Sequence, residues 1–180
     1  MFILYAIPIG LIAGFAIGGR IAGLGELRLR WPWLAVAGLV AQVVLFSEPL
    51  GSAVGAAGPA LYVASNLAVL AAVIRNLAVP GIALVLAGAV CNLVAILANG
   101  GAMPADPAAL AAAGIDTAGQ TNSIVTGEPA LRPLTDIFAM PAWLPFTNVF
   151  SIGDLLIGAG VAATIALAMR RGVGLGATRA

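Results

Sequence analysis

The chain has 180 residues, of which 62% are hydrophobic and only 8% charged, with a formal net charge of +1 and a mean hydropathy of +1.10. So few charges cannot cover the surface of a water-soluble domain, and the profile is that of a polytopic membrane protein. Every basic residue is Arg; without Lys or His there is no imidazole metal site and no Ser-His-Asp triad, and no basic stripe suits nucleic acid.

In chain order, five apolar stretches are long enough to cross a bilayer, which takes about 20 residues with a range of about 17–25. They are residues 2–19, 32–49, 59–74, 80–98 and 149–169. The fold class expected is an all-α membrane protein with five transmembrane helices, a single polytopic domain over 1–180. No positive region precedes the first stretch, so it reads as a span rather than a removable signal peptide. Within it Gly10, Gly14 and Gly18 recur every fourth residue. Such a ridge allows close helix packing, inside the chain or across a dimer. Cys91 is the single cysteine and cannot form an internal disulfide.

Arginine sets the expected orientation. Arg20, Arg28 and Arg30 follow the first stretch, Arg75 the third, and Arg170, Arg171 and Arg179 the fifth. With the N-terminus outside and the C-terminus cytoplasmic, only Arg132 falls outside. The localisation expected is therefore the bacterial cytoplasmic (inner) membrane, multi-pass, with the lipid bilayer as the first partner.

Residues 99–148 form a long outer segment, rich in Pro, Gly, Thr and Asp. Asp106-Pro107 followed by an alanine-rich run to Gly114 predicts a short helix, with Asp106 as N-cap, Pro107 in the first turn and Gly114 as the stop. Residues 115–133 read as loop. Residues 134–144, with Trp143, suit the outer interface, where Trp is enriched. A structureless loop of this length is uncommon unless it has a role, such as a lid or a partner surface.

Four polar residues from four stretches fall at one depth. At ~1.5 Å per residue, Gln42, Asn92 and Asp154 lie about 9 Å below the outer edge and Asn66 roughly 10 Å. A carboxylate in hydrocarbon costs about 2.5–3.5 kcal/mol on insertion scales and reads as functional by default. The competing reading is structural: Asp154 bonds Asn92 or Gln42 and ties helices together. Asp136 lies 18 positions before Asp154 with prolines between, so the chain can fold back and bring the two acids together. Alone, Asp136 reads as a solvated acid or a cap. Asn99 and Asn148, at the two ends of the outer segment, complete the set of candidate substrate-binding residues.

Thr135-Asp136-Ile137-Phe138, Trp143, Phe146-Thr147-Asn148 and Gly153-Asp154-Leu155-Leu156-Ile157-Gly158 resemble the C-terminal part of signal peptidase II, the membrane aspartyl peptidase of bacterial lipoproteins. Gly88-Ala89-Val90-Cys91-Asn92-Leu93 is similar to the start of its G-A-x-G-N-L-I-D-R motif, though Ala95 and Ile96 stand in place of the Asp-Arg. That resemblance implies catalytic roles for Asp136 and Asp154. Over its whole length, through Asn99-Gly100-Gly101-Ala102-Met103-Pro104 and Phe150–Ile157, the chain resembles small bacterial membrane proteins classed as a domain of unknown function (family 5317), which implies no activity.

If the acids form a dyad they share a proton, and the pair hydrolyses an amide without metal or cofactor. Burial of Asp154 assigns it the protonated role and Asp136 the base. Asn92, Asn66 and Gln42 then hold Asp154 or the backbone of a membrane-embedded peptide or lipid-linked substrate. The loop over 99–133 acts as a gate. The alternatives are a non-catalytic binding protein or small transporter with its site in the same polar layer, and an assembly subunit using the glycine ridge and outer segment as contacts.

Overall fold

The computed structural model describes residues 2–45, 47, 53–115, 123–125 and 128–174. Five apolar helices dominate: α1 (Ala6–Ala16, entered through a 3-10 turn at Phe2–Tyr5), α2 (Pro32–Leu45), α3 (Gly58–Ile74), α4 (Ile82–Ala98) and α6 (Ile152–Gly174). A short helix, α5 (Pro107–Ala112), lies between α4 and α6. Two helical stretches, Gly55–Ile74 and Ile152–Arg170, are long and apolar enough to cross a membrane; Phe2–Ala16, Pro32–Leu45 and Ile82–Ala98 are apolar but shorter. The expected end of the second stretch, at residues 46, 48 and 49, lies outside the described residues. The helices are apolar on their outer faces too, with Ile12, Trp33, Val36 and Val43 each more than half exposed. A helix apolar all round needs either a protein core or lipid around it.

α6 is the central helix, and glycines let its neighbours approach. A methyl group added at Gly10 would lie 2.9 Å from the Ala162 carbonyl, and one at Gly14 would overlap Met169, so α1 runs parallel to α6. Two members of the glycine ridge are thus consumed inside the chain. Gly18, at φ +80°, has open space around it and ends the helix instead. On the other side Gly81 faces Gly160 and Thr164, and Gly88 faces Gly153 and Ile157, so α4 runs antiparallel to α6. α2 packs antiparallel on α3 through Gly38 against Ser65 and Val69. Small residues at such contacts bring backbones into van der Waals range, which is how helices associate where apolar burial alone supplies no drive.

The five apolar helices, α1 to α4 and then α6, alternate in direction. Arg20, Arg28, Arg30, Arg75 and Arg170 gather at one end, and the described residues of 99–150 at the other. Two asparagines tie loops to helix ends. Asn76 donates to the Ala72 and Arg30 carbonyls (2.7 and 2.8 Å) and accepts from the Arg30 N–H (2.7 Å). Asn99 donates to the Ala95 and Ala130 carbonyls and accepts from the Ala130 N–H, all at 2.8–2.9 Å. Each side-chain amide thereby satisfies one helix carbonyl left open at the terminus and pairs with a loop residue as a backbone would.

The segment between α4 and α6 is a small cap with its own core, not a slack loop. The Asp106 carboxylate accepts from the Ala108 and Ala109 N–H groups, and Gly114 follows α5 at φ +68°, as the sequence predicts. Strand β1 (Met103–Ala105) pairs in parallel with β2 (Ser123–Val125), which corrects the reading of 115–133 as loop; residues 116–122 and 126–127 lie outside the described residues. On its other edge β1 bridges Asp136: the Asp136 N–H donates to the Pro104 carbonyl and the Asp106 N–H to the Asp136 carbonyl, both at 3.0 Å. β3 (Phe138–Ala139) pairs antiparallel with β4 (Val149–Phe150). Leu110, Ala105, Ala109, Ala113 and Val149 form the cap core, while Met103 packs onto Ala95 and Ile96 of α4. The sequence reading began the last helix at Val149; the structure makes Val149 and Phe150 a strand and starts α6 at Ile152.

Candidate functional site

Asp154 sits in the first turn of α6 for a local reason. Its backbone N–H donates to the Ser151 hydroxyl (3.0 Å), and the Ser151 N–H donates to its Oδ2 (3.2 Å). This is a reciprocal capping box at spacing three, with Ser151 as N-cap. The negative side chain also faces the positive end of the helix dipole. Across the α4–α6 contact, Asn92 Nδ2 donates to Asp154 Oδ1 (2.8 Å), and the Ser151 hydroxyl donates to Asn92 Oδ1 (2.8 Å). Ser151, Asn92 and Asp154 therefore close a ring of hydrogen bonds between two helices. The ring needs Gly153, where a methyl group would overlap the Asn92 amide oxygen.

Asp136 reaches the same region from the cap. Its backbone is fixed by the bridge to β1, and its Oδ1 is buried with no hydrogen-bond partner among the described residues. Burial first, and then the negative charge of Asp154, push the Asp136 carboxyl from its ordinary 3.8 up to about 8. The group is thus neutral around pH 7. The sequence reading placed the protonated role on Asp154, whereas the buried oxygen and the raised value fall on Asp136; Asp154 accepts two N–H hydrogen bonds instead. No hydrogen bond joins the two acids directly; they interact through the electrostatic field.

The remaining candidates divide. Asn66 lies on α3 with its Nδ2 donating to the Tyr62 carbonyl (2.8 Å), and the Tyr62 side chain bonds Asn66 and lies within electrostatic reach of Asp136 and Asp154. Asn66 therefore borders the acid region through Tyr62 but does not touch Asp154. Gln42 is on α2, which packs on α3, and makes no side-chain hydrogen bond with a described residue. Equal depth did not bring it to Asp154, because it belongs to a different face of the bundle. Asn99 is occupied at the Ala130 clamp and does not line the acid region. Asn148 contributes its carbonyl to Met140 N–H in the β3–β4 pair. Asp106, outside the cluster, pairs with Arg132 at 2.7 Å, and this hydrogen bond together with its capping role holds its carboxyl below the usual range.

Ser151 and Tyr62 were not singled out from the sequence. The Ser151-x-x-Asp154 spacing was a readable signal for the first, hidden by the apolar Val149-Phe150 before it. Nothing in the sequence around Tyr62 marks it. Among the described residues no group of three or more metal-ligating side chains is assembled.

Residues 26–166 match a family of unknown function (DUF5317). The chain belongs to this family. The DUF5317 match takes in Asn92, Asp136, Ser151 and Asp154 and leaves α1 outside. No curated protein and no solved structure matches the chain, and the resemblance to signal peptidase II has no counterpart among the matches.

Proposed function

We propose that this DUF5317 member is a five-span protein of the bacterial cytoplasmic membrane, N-terminus outside, with an acid pair at its outer end that hydrolyses a membrane-embedded peptide or lipid-linked substrate. The spanning reading is supported by the apolar outer faces and by the gathering of arginines at one end of the alternating helices. The observation behind the chemistry is the unlike state of the two acids: Asp136 neutral, with a buried unpartnered oxygen, and Asp154 held as an acceptor by Asn92 and Ser151. Asp154 retains free lone pairs on both oxygens and takes a proton from water as it attacks the scissile carbonyl. Asp136 gives its proton to the carbonyl oxygen, forming a tetrahedral diol. As the diol collapses the C–N bond breaks, Asp154 passes the proton it took from water to the leaving amine, and Asp136 takes back a proton from the diol hydroxyl, which restores the pair. Asn92 and Ser151 hold Asp154 in place.

A second reading, a binding site without hydrolysis, draws on the closed Ser151–Asn92–Asp154 ring, which satisfies its members without any ligand. One experiment separates the two. The protein is reconstituted in liposomes with a library of peptides that each carry one hydrophobic segment, and products are read by mass spectrometry. Asp136→Asn and Asp154→Asn should each lower cleavage by at least ~100-fold. If the unaltered protein cleaves no member, or Asp136→Asn cleaves as well as it does, the hydrolytic reading fails.

A further inference from the structure

A cavity of about 310 Å³ lies at the arginine-bearing end, remote from the acid pair. That volume is at the lower end of the range for small-ligand sites. Leu27, Val79, Pro80 and Ala168 give it apolar walls, and Thr164 lines its depth, with its hydroxyl facing the Pro80 and Gly160 carbonyls at 2.9 and 2.8 Å. Its two charged lining residues are Glu26 and Arg28, both exposed. Neither side chain makes a hydrogen bond or ion pair with a described residue. Opposite charges two positions apart on one cavity, unpaired with each other, leave one anion-binding and one cation-binding group for something else.

We propose that this cavity binds the headgroup of a phospholipid that carries both a phosphate and a primary ammonium. Arg28 pairs with the phosphate through its planar fork of donors, and Glu26 accepts hydrogen bonds from the ammonium. The apolar wall takes the start of an acyl chain. Arg20, Arg30, Arg75 and Arg170 lie at the same end of the bundle, which favours phosphate there. Of these, Arg75 is stacked over the Trp31 ring at 5.0 Å. Glu26 sets the specificity: it disfavours a headgroup that is only anionic, and it cannot receive a hydrogen bond from a quaternary ammonium. The inference rests on the membrane-spanning reading and is independent of the acid pair.

The test uses the full chain in detergent with phosphatidylethanolamine, phosphatidylglycerol or phosphatidylcholine added at equal concentration, and native mass spectrometry as the readout. The ethanolamine lipid should be retained about tenfold more than the other two. Glu26→Gln should abolish that preference while leaving phosphatidylglycerol bound, and Arg28→Gln should weaken all three. Equal or greater retention of phosphatidylglycerol by the unaltered protein overturns the proposal, as does a preference that survives Glu26→Gln. Displacement of the lipid by an equal concentration of free glycerophosphoethanolamine overturns the lipid source and assigns the site to a water-borne headgroup compound. A chain that stays dispersed in water without detergent refutes the spanning reading itself. A detergent-dependent chain with no lipid preference refutes only the present inference.

Discussion

Asn92 on α4 donates a 2.8 Å hydrogen bond to Asp154 on α6, and with the Ser151 hydroxyl on its amide oxygen it ties α4 to the first turn of the central helix. Removing it leaves a carboxylate oxygen and the Ser151 hydroxyl each short of a partner. Asn92→Ala should therefore destabilise the protein by about 1–3 kcal/mol, the desolvation cost of orphaned polar groups. Thermal unfolding in detergent measures this. An unchanged midpoint would mean that water replaces the amide and the ring has no structural weight.

The raised Asp136 carboxyl makes stability depend on pH with a definite sign. Its value rises from 3.8 in the unfolded chain to about 8 in the folded one, so between these limits the folded state holds the extra proton. Stability contributed by the neutral form is full below about pH 4 and falls as pH rises toward about 8, then levels off. Melting midpoints of the unaltered protein should decline across that window relative to those of Asp136→Asn, whose amide does not titrate. Parallel pH profiles for the two proteins would show that Asp136 ionises freely in the fold.

Glycine substitutions should separate contacts from open space. Gly153→Ala drives a methyl group into the Asn92 amide, whereas nothing lies within 4 Å of a methyl group at Gly25. The first should cost about 1–3 kcal/mol as overpacking and disturb the ring, while the second stays within about ±0.5 kcal/mol. Denaturation midpoints of both variants, compared side by side, decide the matter; equal effects would contradict the close α4–α6 contact.

The proposed orientation is open to labelling. In a Cys91→Ala background, Trp143→Cys at the exposed cap surface should react with a membrane-impermeant maleimide in spheroplasts. Gly25→Cys, at the arginine-bearing end, should react only after permeabilisation. The opposite pattern would invert the topology and put the acid pair on the cytoplasmic side.

Local rules read the sequence well where the physics is local. The Asp106 cap, Pro107 and the Gly114 stop predicted α5 because each acts within one turn. The glycine spacing anticipated close packing, and the structure supplies α6 as the partner of Gly10 and Gly14. Depth along a helix was also readable, and it correctly grouped Asn92 with Asp154. It misled for Gln42, because depth fixes height but not the side of the helix a residue faces. Asn99 and Asn76 look alike in sequence, yet what they hold depends on which loop returns to them, a non-local fact. The strand at Ser123–Val125 was missed for the same reason, since its pairing partner lies twenty positions upstream at Met103.

The stacking of Phe2 on Phe150, with ring centroids 4.4 Å apart, fastens the first residues of the chain to the threshold of the final helix. Because the nearest neighbours of Gly10 and Gly14 also belong to α6, α1 gains its close packing only once a helix far downstream has been made. Until then the notched side of α1 lacks the neighbour that fills it. Formation of the α1–α6 seam is therefore a late, long-range step, and a truncation that removes α6 strands α1 as well.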